Sequence, residues 1–246
     1  MHLLGIDIDT LNRSELLARC ERWLSEADGF HRIATVNPEF LLLADQDASF
    51  RQALTAADLR IADGFGVVLA AWLRGVSLER FPGADIMEAL LRIAHTQKIP
   101  IYLAIRKDGL SSYVEVRAAI LKQYPDMKVE GADLESRQSL DSTIQNPGSQ
   151  IIFCNFGAPE QEIFLESLRA QPGSICIAMG VGGALDYLTG RIVRAPRLWR
   201  RLGLEWLWRL IQQPSRLGRS RTATAGFRRS DFSAQEKTTD EPGTGG

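Results

Sequence analysis

Cysteine is scarce in this chain: three residues in 246, at Cys20, Cys154 and Cys176. They are odd in number, far apart and set among apolar residues, with no CxxC and no Cys/His ligand spacing. That excludes a disulfide scaffold and a zinc knot, and leaves reduced core thiols of a cytosolic protein as the expectation. No uncharged apolar run reaches the ~18 residues that a membrane span needs. The opening MHLLGIDIDT has neither the basic nor the apolar region of a secretory signal. Contact with a membrane, if made, is expected to be peripheral. No internal repeat is visible. No GxGxxG follows a strand with an acid placed to hold a ribose, so dinucleotide chemistry reads poorly. The one DxD, Asp7-Ile8-Asp9, lies at an N-terminal turn and reads as a surface feature rather than a metal site.

What the chain does have is an uneven charge. Residues 191–229 carry eleven arginines against a single acid, Glu205, giving +11 − 1 = +10. The formal total is −1, so the remainder carries −1 − 10 = −11. Trp199, Trp206 and Trp208 sit inside the basic stretch. An acidic body with a basic, aromatic end predicts a domain that meets a polyanionic surface.

Strand and helix patterns alternate almost throughout. Strands are expected near Leu3–Ile8, His31–Val36, Leu59–Ala62, Pro100–Ile105, Lys128–Glu130, Ser149–Asn155 and Ser174–Met179. Helices are expected near 13–26 (capped by Asn12), from Pro38 (capped by Asn37), from Gly64 to about Gly75, and over 85–97, 110–123, 134–144, 158–170 and 184–188. Strands separated by helices need crossovers, so the expected fold is α/β: a Rossmann-like, mostly parallel sheet with helices on both faces. A basic amphipathic helical appendage over 191–219 follows the domain of 1–190. Residues 220–246, rich in Ser, Thr, Gly and charge, are expected to be disordered.

In such a sheet ligands bind beyond the carboxyl ends of the strands. Four turns with unusual residues fall there: Thr35-Val36-Asn37-Pro38-Glu39, Ala62-Asp63-Gly64-Phe65-Gly66, Asn155-Phe156-Gly157-Ala158-Pro159-Glu160-Gln161-Glu162 and Gly180-Val181-Gly182-Gly183-Ala184-Leu185-Asp186. Asp63, between small neighbours, is either a base facing a cleft or the cap of the helix that begins at Gly64. Thr35 and Asn37 suit a sugar hydroxyl or the orientation of a base, with helix capping the competing role for Asn37. Glu39 reads as a first-turn acid. Gly180, Gly182 and Gly183 expose backbone N–H groups for phosphate oxygens, or form a plain tight turn. Asp186 binds a sugar or ribose hydroxyl, or is a solvated helix residue. Arg191 and Arg194 follow closely and suit a diphosphate clamp.

In the appendage Trp199, Leu202, Trp206 and Leu210 form one apolar stripe, while Leu204, Trp208 and Ile211 lie opposite among Arg197, Arg200 and Arg201. A helix apolar on two sides with arginine between suits a headgroup boundary, with packing against the domain or a dimer partner as the alternative. The pattern does not suit nucleic acid.

Taken in order, TVNPEF, ADLRIADGFGVVLAAWLRG, ERFPGADIM, NFGAPEQE, GVGGALDYLTGRIVRAP and RLGLEWLWRL resemble the bacterial WecG/TagA/CpsF glycosyltransferases, glycosyltransferase family 26, over about Thr35 to Arg219. The resemblance implies inverting, metal-independent transfer of N-acetylmannosamine or its uronic acid. The donor would be a UDP-sugar and the acceptor a polyprenyl-diphosphate-linked sugar, at the inner face of the cytoplasmic membrane. It places a proposed catalytic aspartate at Asp63 and a site position at Gln161. An unperturbed aspartate, with a pKa near ~3.9, is ionised at neutral pH and able to accept the acceptor's proton. Two departures stand out. Residues 106–112 read RKDGLSS where relatives carry a glycine-rich turn with proline, and Glu160 stands where relatives often have lysine. The second disfavours an acidic donor and favours a neutral sugar. A non-catalytic, membrane-associated nucleotide-sugar binding protein and an NAD-dependent oxidoreductase are the rival readings. Homo-oligomerisation is left open.

Overall fold

In the computed structural model the described residues are 1–135, 151–170, 175–201 and 203–212. β1 (His2–Leu3) and β2 (Ile6–Asp7) form a small antiparallel hairpin. There follow α1 (Arg13–Glu26), β3 (His31–Val36), α2 (Pro38–Gln46), α3 (Ala48–Thr55), β4 (Leu59–Ala62), α4 (Phe65–Trp72), α5 (Gly83–Gln97), β5 (Ile101–Arg106), α6 (Tyr113–Gln123) and β6 (Val129–Leu134). The chain continues through β7 (Ile151–Cys154), α7 (Glu160–Ser167), β8 (Ile177–Gly180), α8 (Leu185–Leu188), α9 (Arg197–Arg201) and α10 (Glu205–Gln212). Six strands pair in the order β4-β3-β8-β7-β5-β6, and every pairing is parallel. The α/β sheet expected from the alternating patterns is present.

Alternate residues of each strand feed opposite faces, as the pleat requires. One face presents Ile33, Ile61, Leu103, Phe153 and Met179 to a core shared with α1, α5 and α6. The other presents Ala34, Val36 and Ala62 to α2, α3 and α4, and Ala104, Cys154 and Ala178 to α7. Because all six strands are parallel, all their carboxyl ends lie along one edge. Three helix starts are fixed by side-chain caps, those at Asn12 and Asn37 as the sequence predicts. Asn12 and Glu15 form a reciprocal capping box; the Asn37 side chain accepts from Phe40 N with Pro38 at the first helical position; Ser112 and Glu115 form a second box.

Several boundaries differ from expectation. The single strand over Leu3–Ile8 is instead a hairpin, turned by Leu4 and Gly5 at φ 46° and 79°. A two-residue turn with both φ positive normally carries Asn-Gly, so Leu-Gly hid it. The helix from Pro38 breaks at Asp47, which caps α3 by accepting from Phe50 N. Leu134 ends a strand rather than starting a helix; most of the helix expected over 134–144 and all of the tail from 220 fall outside the described residues. All three cysteines are buried and free. Burial pushes the thiols of Cys20 and Cys176 up to about 12 and about 11, and that of Cys154 well above its usual value. A thiol-specific reagent at neutral pH is expected to label fewer than about one in ten of these thiols in the time that labels all three in denaturant. Rapid labelling of the native chain contradicts this.

Candidate functional site

The site begins where β3 and β4 end side by side. Thr35 pairs with Ile61 and Val36 with Ala62 in the parallel register, which brings Asn37 and Asp63 to neighbouring strand exits. Asp63 N donates to Val36 O at 2.9 Å, fixing the turn. The Asp63 carboxylate does not cap α4, whose start has no side-chain cap. Its Oδ1 accepts instead from Gly83 N, at the first residue of α5, at 3.2 Å. A methyl group at Gly83 would stand 3.4 Å from Thr35 Cγ2 and 3.8 Å from Asp63 Oδ2, so the buried Thr35, Asp63 and the α5 N-terminus meet at one point. Gly64 and Gly66 have a packing reason as well: a Cβ at either would lie 2.7 Å from the Pro38 ring. Asn37 spends its side-chain oxygen on Phe40 N. Glu39 is an exposed first-turn acid.

β8 ends beside β3, two strands from β4, so the turn after Gly180 lies ~10 Å along the same edge from Asp63 by strand spacing. Its glycines have different jobs. Gly180 is the last residue of β8, and a Cβ there would fall 2.4 Å from Gln161 Nε2 and 2.6 Å from Glu162 Oε1. That close approach explains the glycine without a ligand. Gly182 is left-handed at φ 48° with nothing within 4 Å of its missing side chain, and Gly183 follows in a 3-10 turn. The open space along this turn is thus at Gly182.

Gln161 is buried, and both ends of its amide are held by protein: Oε1 accepts from Gly157 N at 3.2 Å, and Nε2 donates to Glu162 Oε1 at 3.1 Å. Glu162 in turn accepts from the Arg32 guanidinium, which also donates to Glu166 at 2.7 Å and to Ala53 O at 2.8 Å. Asp186 is buried rather than solvated, correcting one of its two readings, and Ser111 Oγ donates to it at 2.8 Å. Ser111 and Thr189 are also within hydrogen-bond distance.

The arginines after the glycine turn are held by carboxylates. Arg194 uses all three nitrogens: on Asp85, on Glu88 at 3.2 Å and on Glu205 at 3.3 Å. It also stacks its cation 5.7 Å over the Tyr187 ring. With its guanidinium so committed, Arg194 bolts the appendage to α5 instead of standing ready as a clamp. Arg191 pairs with Glu115. The Glu115 carboxyl is held down to about 2, first by the Ser112 backbone N–H and then by the Arg191 guanidinium. Because the folded value is depressed, the tether is intact at neutral pH and is lost only as pH falls through about 2.

Arg200 leans to Asp85 at 3.9 Å, its carbonyl accepting from Arg80, while Arg197 is exposed. The Arg201 side chain lies outside the described residues. Trp208 is half-buried, donating from Nε1 to Val193 O at 3.0 Å and meeting Trp199 edge-on at 5.5 Å. The helix expected through this stretch is two helices. Gly203, at φ 71°, ends α9 in a left-handed cap, with Leu204 N donating to Trp199 O at 2.8 Å. The side chains of Leu202, Trp206 and Leu210 are outside the described residues, so the stripe they complete is too.

Sequence reasoning missed Gly83, Ser111 and Asp85. Gly83 sits in the matched block ERFPGADIM beside a proline, a usable signal. Asp85 lies in the same block, whereas Ser111 carries no such signal, since its role comes from contact with Asp186, 75 positions away. Asp7 is paired with His2 at 2.9 Å and Asp9 accepts from Arg60 N at 2.7 Å. Among the described residues no three His, Cys, Asp or Glu gather as metal ligands, and no helix is long and apolar enough to cross a membrane. A carboxylate, a threonine, a helix N-terminus and an open glycine turn lie along one sheet edge. The family model described as Glycosyl transferase WecG/TagA/CpsF family matches residues 1–228, and the chain belongs to that family.

Proposed function

We propose that this glycosyltransferase moves a neutral, N-acetylmannosamine-like hexose from a UDP donor to a polyprenyl-diphosphate-linked sugar, inverting the anomeric centre. The pathway is bacterial surface polysaccharide or teichoic acid synthesis, and the enzyme works peripherally on the inner face of the cytoplasmic membrane without a metal. The observation that carries the reading is the meeting of Asp63, Thr35 and Gly83 at the exits of β3 and β4, on the edge that also holds the open turn at Gly182.

In this reading Asp63 takes the proton from the acceptor hydroxyl as its oxygen attacks the anomeric carbon. The Gly83 N–H holds the carboxylate in place, and Thr35 binds the hydroxyl or orients the base. The bond from the anomeric carbon to the UDP oxygen breaks. Backbone N–H groups at Gly182 and Gly183 receive the charge on the departing diphosphate. Arg191 assists if it leaves Glu115. Gln161 and Asp186 shape the donor pocket from behind, through Gly157 and Ser111. The exposed Glu160 at the start of α7 supports a neutral donor, since a uronic acid would meet a like charge there.

The test incubates purified protein with a panel of UDP-sugars and prenyl-diphosphate-sugar acceptors, with and without EDTA. Transfer from a UDP-N-acetylhexosamine is expected, at rates within about twofold in either buffer. Strict preference for a UDP-uronic acid, or loss of turnover with chelator, contradicts the corresponding part.

A further inference from the structure

α4 leaves the Asp63-Gly64 turn with two unlike sides. Val67, Ala70 and Ala71 face the core. Phe65, Leu69, Trp72 and Leu73 follow at spacings of four, three and one, so they share the opposite face. They are 43%, 41%, 70% and 71% exposed. Arg74 is the only charged residue between Gly64 and Leu78. A helix beside water ordinarily turns polar residues outward; an apolar face of this kind marks a binding surface.

The face continues onto the appendage. A Cβ at Gly203 would stand 2.7 Å from the Phe65 ring, so the turn between α9 and α10 sits on the first residue of the face. α9 adds Leu198, 65% exposed, and the exposed Arg197, and holds no acid. Arg197, on a helix that holds no acid, thus borders the apolar surface. That charge selects the occupant. A second copy packed face to face would set arginine against arginine. An anionic leaflet accepts the four apolar side chains below its headgroups and pairs Arg197 of α9 with phosphate.

We infer that α4 is a membrane-inserting helix, lying in the plane of an anionic leaflet with Phe65, Leu69, Trp72 and Leu73 in the acyl boundary and α9 as its cationic flank. The inference rests on the lipid-linked acceptor proposed above and gives it a geometry. α4 starts two residues after Asp63, so inserting it holds that carboxylate at headgroup level, where a lipid diphosphate lies. The polyprenyl chain then stays in the bilayer while its sugar enters the site.

The test uses the full chain and vesicles of phosphatidylcholine, with and without phosphatidylglycerol. The variant Leu69→Ser/Trp72→Ser/Leu73→Ser, checked for an unchanged circular dichroism spectrum, is expected to partition about a hundredfold more weakly into phosphatidylglycerol vesicles. Brominated acyl chains should quench wild-type tryptophan fluorescence, and Trp72→Phe should remove much of that quenching while preserving binding. Unchanged partitioning of the triple variant, failure of the wild type to bind, or a wild-type dimer that the variant dissolves without losing vesicle binding would each overturn the inference. A wild type that transfers sugar while the triple variant binds vesicles as tightly sinks this inference alone. A wild type that binds through α4 but transfers from no UDP-sugar sinks the proposed activity alone.

Discussion

Asp63→Asn is expected to lower kcat by about a thousandfold, ~4 kcal/mol of lost transition-state stabilisation, while UDP affinity stays within about threefold. The substitution isolates proton transfer because the asparagine oxygen can still accept from Gly83 N, as the carboxylate does at 3.2 Å. The turn at 63–64 is separately fixed by the backbone bond from Asp63 N to Val36 O, which the substitution leaves in place. Two outcomes reject the assignment. Turnover within about tenfold of wild type means another group takes the proton. Collapse of UDP affinity with proportionate loss of kcat/KM means Asp63 binds substrate instead. Thr35→Val, next to the same carboxylate, should cost less, since it removes a hydroxyl and leaves the base.

Glu162→Ala is expected to be the most damaging single change to stability, at about 3–5 kcal/mol. Glu162 and Arg32 are both fully buried, and the guanidinium reaches across from the second residue of β3 to α7. Removing the carboxylate leaves a buried cation with Glu166, itself a quarter exposed, as its remaining acid. It also frees the Gln161 amide from one of its two anchors. The double variant Arg32→Met/Glu162→Met removes both charges and should recover at least about half of the loss, because well-packed apolar side chains replace a buried pair at little cost. Denaturation midpoints of the three proteins decide it. A Glu162→Ala protein within about 1 kcal/mol of wild type would show that the pair is hydrated in solution.

The sheet was legible because its signals are local. Apolar runs such as Ile151–Cys154 and caps such as Asn12 and Asn37 need no knowledge of distant partners. The rim was legible for a related reason: a parallel sheet sends every carboxyl end the same way, so naming the turns was enough to group Asp63, Thr35 and Gly182. Jobs set by tertiary contact stayed hidden. Gly180 looked like a phosphate-loop glycine, yet its bare Cα makes room for Gln161 and Glu162. Arg194 looked like a clamp, yet three carboxylates from α5 and α10, ten to a hundred residues away, claim it. Charge counting saw the arginines of the appendage but not the acids they meet. The helical wheel assumed a straight helix through Gly203, where Phe65, remote in sequence, helps decide the bend.

The order of strands has a consequence for biosynthesis. β3, the first strand of the sheet to leave the ribosome, is flanked by β4 and by β8, the last. Until residues 177–180 emerge, β3 and β7 each keep a bare hydrogen-bonding edge with no neighbour to fill it, the kind of edge that captures other nascent chains. More than two thirds of the polypeptide must therefore be translated before the two halves of the sheet can zip together around that one short insert. Messages truncated just upstream would be expected to yield insoluble fragments needing chaperone custody, not a smaller working enzyme.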